Sequence, residues 1–320
     1  MVATTKSPLS PKAFPIGELN TMHYQQKISA SYRDADSAEF RGDLTLKLVR
    51  NLIKVGEVIS PGYTKRKMES LIFRPKKKKH DPKDSFLETA ESTEIFSLTS
   101  GIRCRYYLWG GAKPDVLLVH GWESRASHFA KLIDILVAKG FCVAAFDAVA
   151  HGRSDGVEAD MLDFMECISR LHELFDGIDC IIGYSFGGIS AINAVKAGLS
   201  VNRLGVISSP SSFYGIFEKL SMQLQLSKSM HEHLAEVITR RYRIDADGWD
   251  HYSTYHGVAE QQIPLVAIHD ADDNYVHKIE SDILADVWPN ATLIETQGLG
   301  HRRIITSEAA MQAFCDALLK

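Results

Sequence analysis

What this chain lacks narrows it first. Nowhere in its 320 residues do apolar side chains continue for the roughly 18 positions that a membrane-crossing helix needs. There is no positive excess: 36 Lys and Arg stand against 40 Asp and Glu, a formal net charge of −4, whereas a dedicated nucleic-acid binder carries the opposite balance. Five cysteines (Cys104, Cys142, Cys167, Cys180 and Cys315) are scattered without a Cys-x-x-Cys pair, which speaks against a zinc ribbon or a disulfide scaffold. Several sit in apolar runs (FCVAAF, DCIIG, AFCDALL), as buried free thiols of a reducing compartment do. The opening MVATTKSPLSPKAF contains no apolar leader core, and a cytoplasmic location is expected. At 45% hydrophobic and 24% charged residues, the composition excludes a largely disordered or collagen-like chain.

What is present changes character at about residue 92. Residues 1 to about 40 are rich in Ser, Thr, Lys, Pro and Asp and poor in aliphatic side chains, and they read as a loosely attached arm. GDLTLKLVRNLIKVGEVI at 42–59 places Leu44, Leu48, Leu52 and Val55 on one helical face, a stripe that predicts docking on something apolar. Pro61-Gly62 ends that helix. The one basic concentration, KRKMESLIFRPKKKKHDPKD, reads as a solvated linker between Pro75 and Pro82, with an anionic-surface patch as the alternative. Residues 1–91 are thus expected to form an arm and helical extension, and 92–320 the main domain.

That domain carries eight β-rich runs: TEIFSLT, IRCRYYLW, VLLVH, CVAAFD, CIIGYS, RLGVISS, LVAIHD and ATLIET. Ser100-Gly101 joins the first two as a hairpin. Helical stretches at 125–139, 161–175, 186–197, 278–287 and 306–319 alternate with the others. This order predicts an α/β fold with an eight-stranded, mostly parallel sheet, its first strand reversed, flanked by helices. Between RLGVISS and LVAIHD, residues 211–262 hold two helical patterns where one crossover helix would suffice, and they read as a small helical lid over the strand ends.

Gly183-Tyr184-Ser185-Phe186-Gly187 lies between a strand run and a helical run. Such a junction holds a serine on a tight turn at the carboxyl end of a sheet, where its hydroxyl can act as a nucleophile. A serine hydroxyl needs a base, and the base an orienting acid. Of 13 histidines, His301 in GLGHRR follows the last strand and opens at the same sheet end, whereas His269 is inside a strand and reads as core. His231 and His233 are two apart on a helix and do not share a face, so no metal site is expected. Asp270, Asp272 and Asp273 compete for the acid; Asp270 belongs to the strand end and Asp272 is placed to cap the turn, which gives the order Ser185, Asp273, His301. VLLVHGW ends a strand so that the Trp122 N–H faces the serine, with the Phe186 N–H as a second oxyanion donor. His120, Asp147 and His151 read as structural.

Taken together, HGW at 120–122, DAVAHGRS at 147–154, GYSFGG at 183–188, DADDNYV at 270–276 and GLGH at 298–301 resemble an α/β-hydrolase-fold serine hydrolase of the carboxylesterase and lipase kind. The resemblance covers about 230 residues and leaves the first 90 outside. It implies Asp273 as the triad acid through a G-x-x-D-x-x-V pattern in which Asp270 stands at the glycine position. It implies cleavage of an ester or thioester through an acyl-serine, with no cofactor and a small-molecule ester as partner. The alternatives are an acyltransferase using the same acyl-enzyme and a non-catalytic binding module on this scaffold. Trp122, Tyr184, Phe213, Tyr214 and Phe217 are the expected substrate contacts. With no Arg or Lys cluster at the strand ends, uncharged short-to-medium acyl groups are expected.

Overall fold

The computed structural model describes residues 19–39, 44–77, 81–244 and 248–320. Three helices come first: α1 (Leu19–Glu39), α2 (Leu44–Ile59) and α3 (Pro61–Leu71). The strands are β1 (Ser92–Ser97), β2 (Arg103–Trp109), β3 (Val116–Val119), β4 (Val143–Asp147), β5 (Cys180–Tyr184), β6 (Arg203–Ile207), β7 (Leu265–Asp270) and β8 (Ala291–Thr296). Between and after them run α4 (Ala130–Ala138), α5 (Met161–Leu174), α6 (Phe186–Lys196), α7 (Phe213–Leu224), α8 (Lys228–Tyr242), α9 (Ile279–Val287), α10 (Gly300–Arg303) and α11 (Glu308–Leu318).

The eight strands form one sheet in the order β1-β2-β4-β3-β5-β6-β7-β8. Strands β3 to β7 are buried on both faces, which is why they read as continuous apolar runs. Alternate side chains feed opposite layers: Leu117, Ile181 and Leu204 join Phe164, Ile168 and Ile192 of α5 and α6. Leu118, Ile182 and Ile268 join Leu132, Leu136, Met311 and Phe314 of α4 and α11.

Two expectations need correction. The strand that runs against the others is the second: β2 is antiparallel to both β1 and β4, so β1 shares the common direction. Residues 19–39 are no loose arm but a helix whose Ile28 and Tyr32 are buried. Side-chain bonds hold α1 down: Tyr32 donates to Glu280 at 2.5 Å, Gln25 donates to Asp250 at 2.6 Å, and Ser29 donates to Glu218. The rest of the expected arm, residues 1–18, and Lys78, Lys79 and His80 of the basic cluster lie outside the described residues. In the 211–262 stretch, Phe213, Phe217, Met230, Leu234, Ile238 and Tyr242 make a third cluster with Ile53, Met68 and Phe73, so it packs against the N-terminal extension.

Candidate active site

Ser185 sits at the turn from β5 into α6 with φ 53° and ψ −123°, a left-handed conformation that a non-glycine residue adopts only under constraint. Glycines permit the constraint. A Cβ on Gly187 would lie 2.2 Å from the Val119 carbonyl oxygen of β3, and one on Gly183 would lie 2.5 Å from the Gly187 carbonyl. The motif therefore packs α6 directly onto the central strands and lifts the serine hydroxyl at their carboxyl ends.

The loops after β5, β7 and β8 meet there. His301 Nε2 is 3.0 Å from Ser185 Oγ, and its Nδ1 is 2.7 Å from Asp273 Oδ2. A carboxylate only accepts, so Nδ1 carries the proton and Nε2 is free to accept from the serine hydroxyl. Asp273 is buried; its Oδ1 accepts the amides of Tyr275 and Val276, both at 2.9 Å. Burial alone would raise its pKa, but hydrogen bonds from His269 and His301 hold the carboxyl well below the usual carboxylate range. His269, expected as core, is indeed buried, yet its Nε2 also lies 3.4 Å from Asp273 Oδ2 while it donates to the Val276 carbonyl at 2.7 Å. That supporting role was visible only as its four-residue spacing from Asp273 across a strand end.

The neighbouring carboxylates have other tasks. Asp270, at the glycine position of the family pattern, accepts from the amides of Gly300 at 2.8 Å and Leu299 at 3.0 Å and from the Thr296 hydroxyl at 2.7 Å. Against the effect of burial, these donors lower its pKa. Asp272 accepts the Gly298 amide at 2.9 Å. Both hold the loop that carries His301.

Gly121 lies against the serine, since a Cβ there would be 2.9 Å from Ser185 Cβ. The next amide, Trp122 N–H, donates to no other group among the described residues. That of Phe186 is the first of α6, ahead of the helix ladder. Behind this loop, His120 Nδ1 donates to the Gly121 carbonyl at 2.7 Å and its Nε2 accepts the Ala148 amide at 3.0 Å. His151 Nε2 accepts the Glu123 amide at 3.1 Å, and Asp147 accepts the amides of Ala126 and Arg153. These groups shape the turn and do not reach Ser185. His231 and His233 are engaged separately, with Ser221 at 2.8 Å and Glu69 at 2.7 Å.

Ser185 and His301 open into a cavity of about 340 Å³. Of the expected substrate contacts, Trp122, Phe213 and Phe217 line it and Tyr184 and Tyr214 do not. Tyr184 instead donates to the His301 carbonyl at 3.0 Å and braces that loop, while Tyr214 packs edge-on against Trp249. On α7, positions 213, 217 and 220 share a face and 214 is turned about 100° away, so helical spacing alone separates them. The cavity also takes walls that no local motif announced: Tyr32, Ile72 and Phe73 from the N-terminal extension, and Ile238 and Trp249 from the 211–262 stretch. Lys219 is its one Lys or Arg among the described residues, and it donates to the Tyr275 carbonyl.

A serine hydrolase-like protein of Mus musculus is 34% identical over 87 residues, 25% of this chain and 28% of that protein. A protein of Aliivibrio fischeri named acyl transferase is 26% identical over 196 residues, 54% of this chain and 62% of that protein. The chain therefore spans less than two thirds of the length of these relatives. Among solved structures, an esterase of Pyrococcus furiosus superposes with a TM-score of 0.57 at 19% identity, covering 78% of this chain and 98% of that one, a likeness of fold. The model of the alpha/beta hydrolase family matches residues 116–317, which is most of the sheet and both of its helical layers, and the chain belongs to that family.

Proposed function

We propose that this protein is a serine hydrolase that cleaves uncharged carboxylic esters or thioesters through an acyl-Ser185 intermediate. The observation that carries the reading is the unbroken hydrogen-bonded chain from Asp273 through His301 to Ser185, opening on an apolar cavity.

Ser185 Oγ bonds to the substrate carbonyl carbon as its proton passes to His301 Nε2. The carbonyl oxygen becomes an oxyanion between the Trp122 and Phe186 amides, where each donor is worth roughly 10²–10³ in kcat in comparable sites. Collapse breaks the bond to the alcohol or thiol, which leaves with the proton from Nε2. Water then repeats the sequence on the acyl-serine. Asp273 keeps Nδ1 protonated and stabilises the imidazolium that forms. The cavity of about 340 Å³ is lined mainly by apolar side chains, which suits an uncharged acyl chain.

The test is labelling with a fluorophosphonate, mapping of the adduct, and turnover of esters of graded acyl length. An adduct on Ser185 with turnover abolished in Ser185→Ala supports the reading; a folded protein with neither sinks it. Transfer to another acceptor is the second reading, favoured by the relative named acyl transferase. It predicts the adduct with slow hydrolysis that added alcohols or thiols accelerate.

A further inference from the structure

Helix α2 buries only Ile53, which joins the third apolar cluster. Beside it, polar groups tie the helix down: Arg50 Nε donates to the Gln223 carbonyl at 2.7 Å, Lys54 donates to the Gln225 side chain at 3.1 Å, and Glu57 accepts from the Ser227 hydroxyl. Its outward side carries Leu44, Leu48, Leu52, Val55 and Ile59, which are 79%, 60%, 62%, 53% and 77% exposed. Their spacing puts them on one stripe. On α3, Tyr63 and Leu71 are exposed as well. The stripe has the pattern of a docking face, and no described part of the chain covers it. An apolar patch of this kind on a soluble surface marks an interaction site.

Charge selects the partner. Residues 44–77 hold nine Lys and Arg against Glu57 and Glu69, within a chain of net charge −4. Lys47, Arg66, Lys67, Arg74 and Lys76 are all exposed. A second copy of this face would bring two such basic surfaces together, whereas an anionic lipid surface offers apolar depth and negative headgroups at once. We propose that α2 and α3 form an interfacial anchor that seats the protein on an anionic lipid surface, the leucine stripe in the acyl boundary and the basic side chains among the headgroups.

The anchor adjoins the cavity. Gln223, which accepts from Arg50, lines it, and so do Ile72 and Phe73 just beyond α3. Resting on the hydrolase reading, the anchor implies an acyl substrate drawn from the lipid phase.

The experiment is co-sedimentation of the full chain with vesicles of phosphatidylcholine alone or mixed with phosphatidylglycerol, at low and high salt. The expected result is partition onto the mixed vesicles, weakened by salt, and reduced about tenfold or more in Leu48→Glu/Leu52→Glu. Both positions are exposed, so the variant should melt as the parent does and hydrolyse a soluble short-chain ester unchanged, which keeps this test separate from that of Ser185. Absence of partition, partition unaltered in the double variant, or a self-associated dimer that the same variant dissolves would each overturn the proposal.

Discussion

The Asp270 carboxylate accepts the Gly300 amide at 2.8 Å, one residue before His301. A side chain at a position where the family pattern has glycine thereby ties the histidine loop to the strand end that opens the Asp273 turn. Asp270→Asn keeps the size but removes the charge and one acceptor oxygen. Displacements of an ångström at a reacting group cost up to about 10²-fold. The expected outcome is roughly a tenfold lower kcat with KM little changed, measured on one soluble ester. An unchanged kcat would show that the loop holds its place without Asp270.

Asp273→Ala should be far more damaging, because it leaves the imidazole without the partner that fixes its tautomer. An orienting carboxylate is worth roughly 10⁴-fold in kcat in comparable triads. Asp272→Ala removes only the bond to the Gly298 amide and should stay within about tenfold of the parent. If Asp272→Ala were the more damaging of the two, Asp273 would not be the acid.

Acid should destabilise the fold through buried histidines. Burial pushes His120 and His151 down to about 3, with the neighbouring His120 adding to the effect on His151. In the unfolded chain both take a proton near 6.5. Their stabilising contribution is therefore complete above about pH 6.5 and is lost as pH falls toward 3, by about 1.4 kcal/mol per histidine per pH unit. Asp163, pushed up to about 6 by burial and by Asp160, opposes one of them, and His128, lowered by burial, adds to the loss. Urea midpoints measured at pH 7.5 and pH 5 should differ, with the lower midpoint in acid. Equal midpoints would mean that these rings are not held neutral.

The sheet and the Ser185, Asp273 and His301 positions were legible because each rests on a local pattern: a buried apolar run, a glycine-flanked turn, a polar residue on a loop after its strand. The direction of β1 was not, because a hairpin fixes only that two strands oppose each other, and the sense of the pair comes from β2 lying beside β4. Helix α1 escaped for a related reason. It is held less by aliphatic area than by bonds such as Tyr32 to Glu280, whose partners lie far along the sequence. Tyr184 was misplaced because an aromatic beside the nucleophile suggests contact with substrate, while the alternation of β5 turns its ring toward the layer that contains Phe314. The stripe on α2 predicted docking on something apolar, but the described chain leaves those side chains exposed, because the periodicity of a helix shows which residues share a face and not what covers them.

The contribution of α1 to the cavity can be measured with a single oxygen atom. The Glu280 carboxylate is buried and accepts from the Ser211 amide and hydroxyl, the Ser212 amide and the Tyr32 hydroxyl. These bonds join α1, α9 and the start of α7 at a point where both Tyr32 and Glu280 line the cavity. Tyr32→Phe keeps the ring and leaves a buried carboxylate one donor short, at a cost of about 1–3 kcal/mol. For a chain of this size that corresponds to a fall in Tm of roughly 2–4 °C per kcal/mol. Because the Ser185 and His301 geometry is untouched, kcat should hold while KM rises, and more for longer acyl chains that fill the wall built by Tyr32 than for acetate. The measurement is a pair of Michaelis curves, on a short and a medium-chain ester, beside a thermal melt. A lower Tm with both KM values unchanged would make Tyr32 a structural tie only; no change in either would mean that α1 is not docked through this bond.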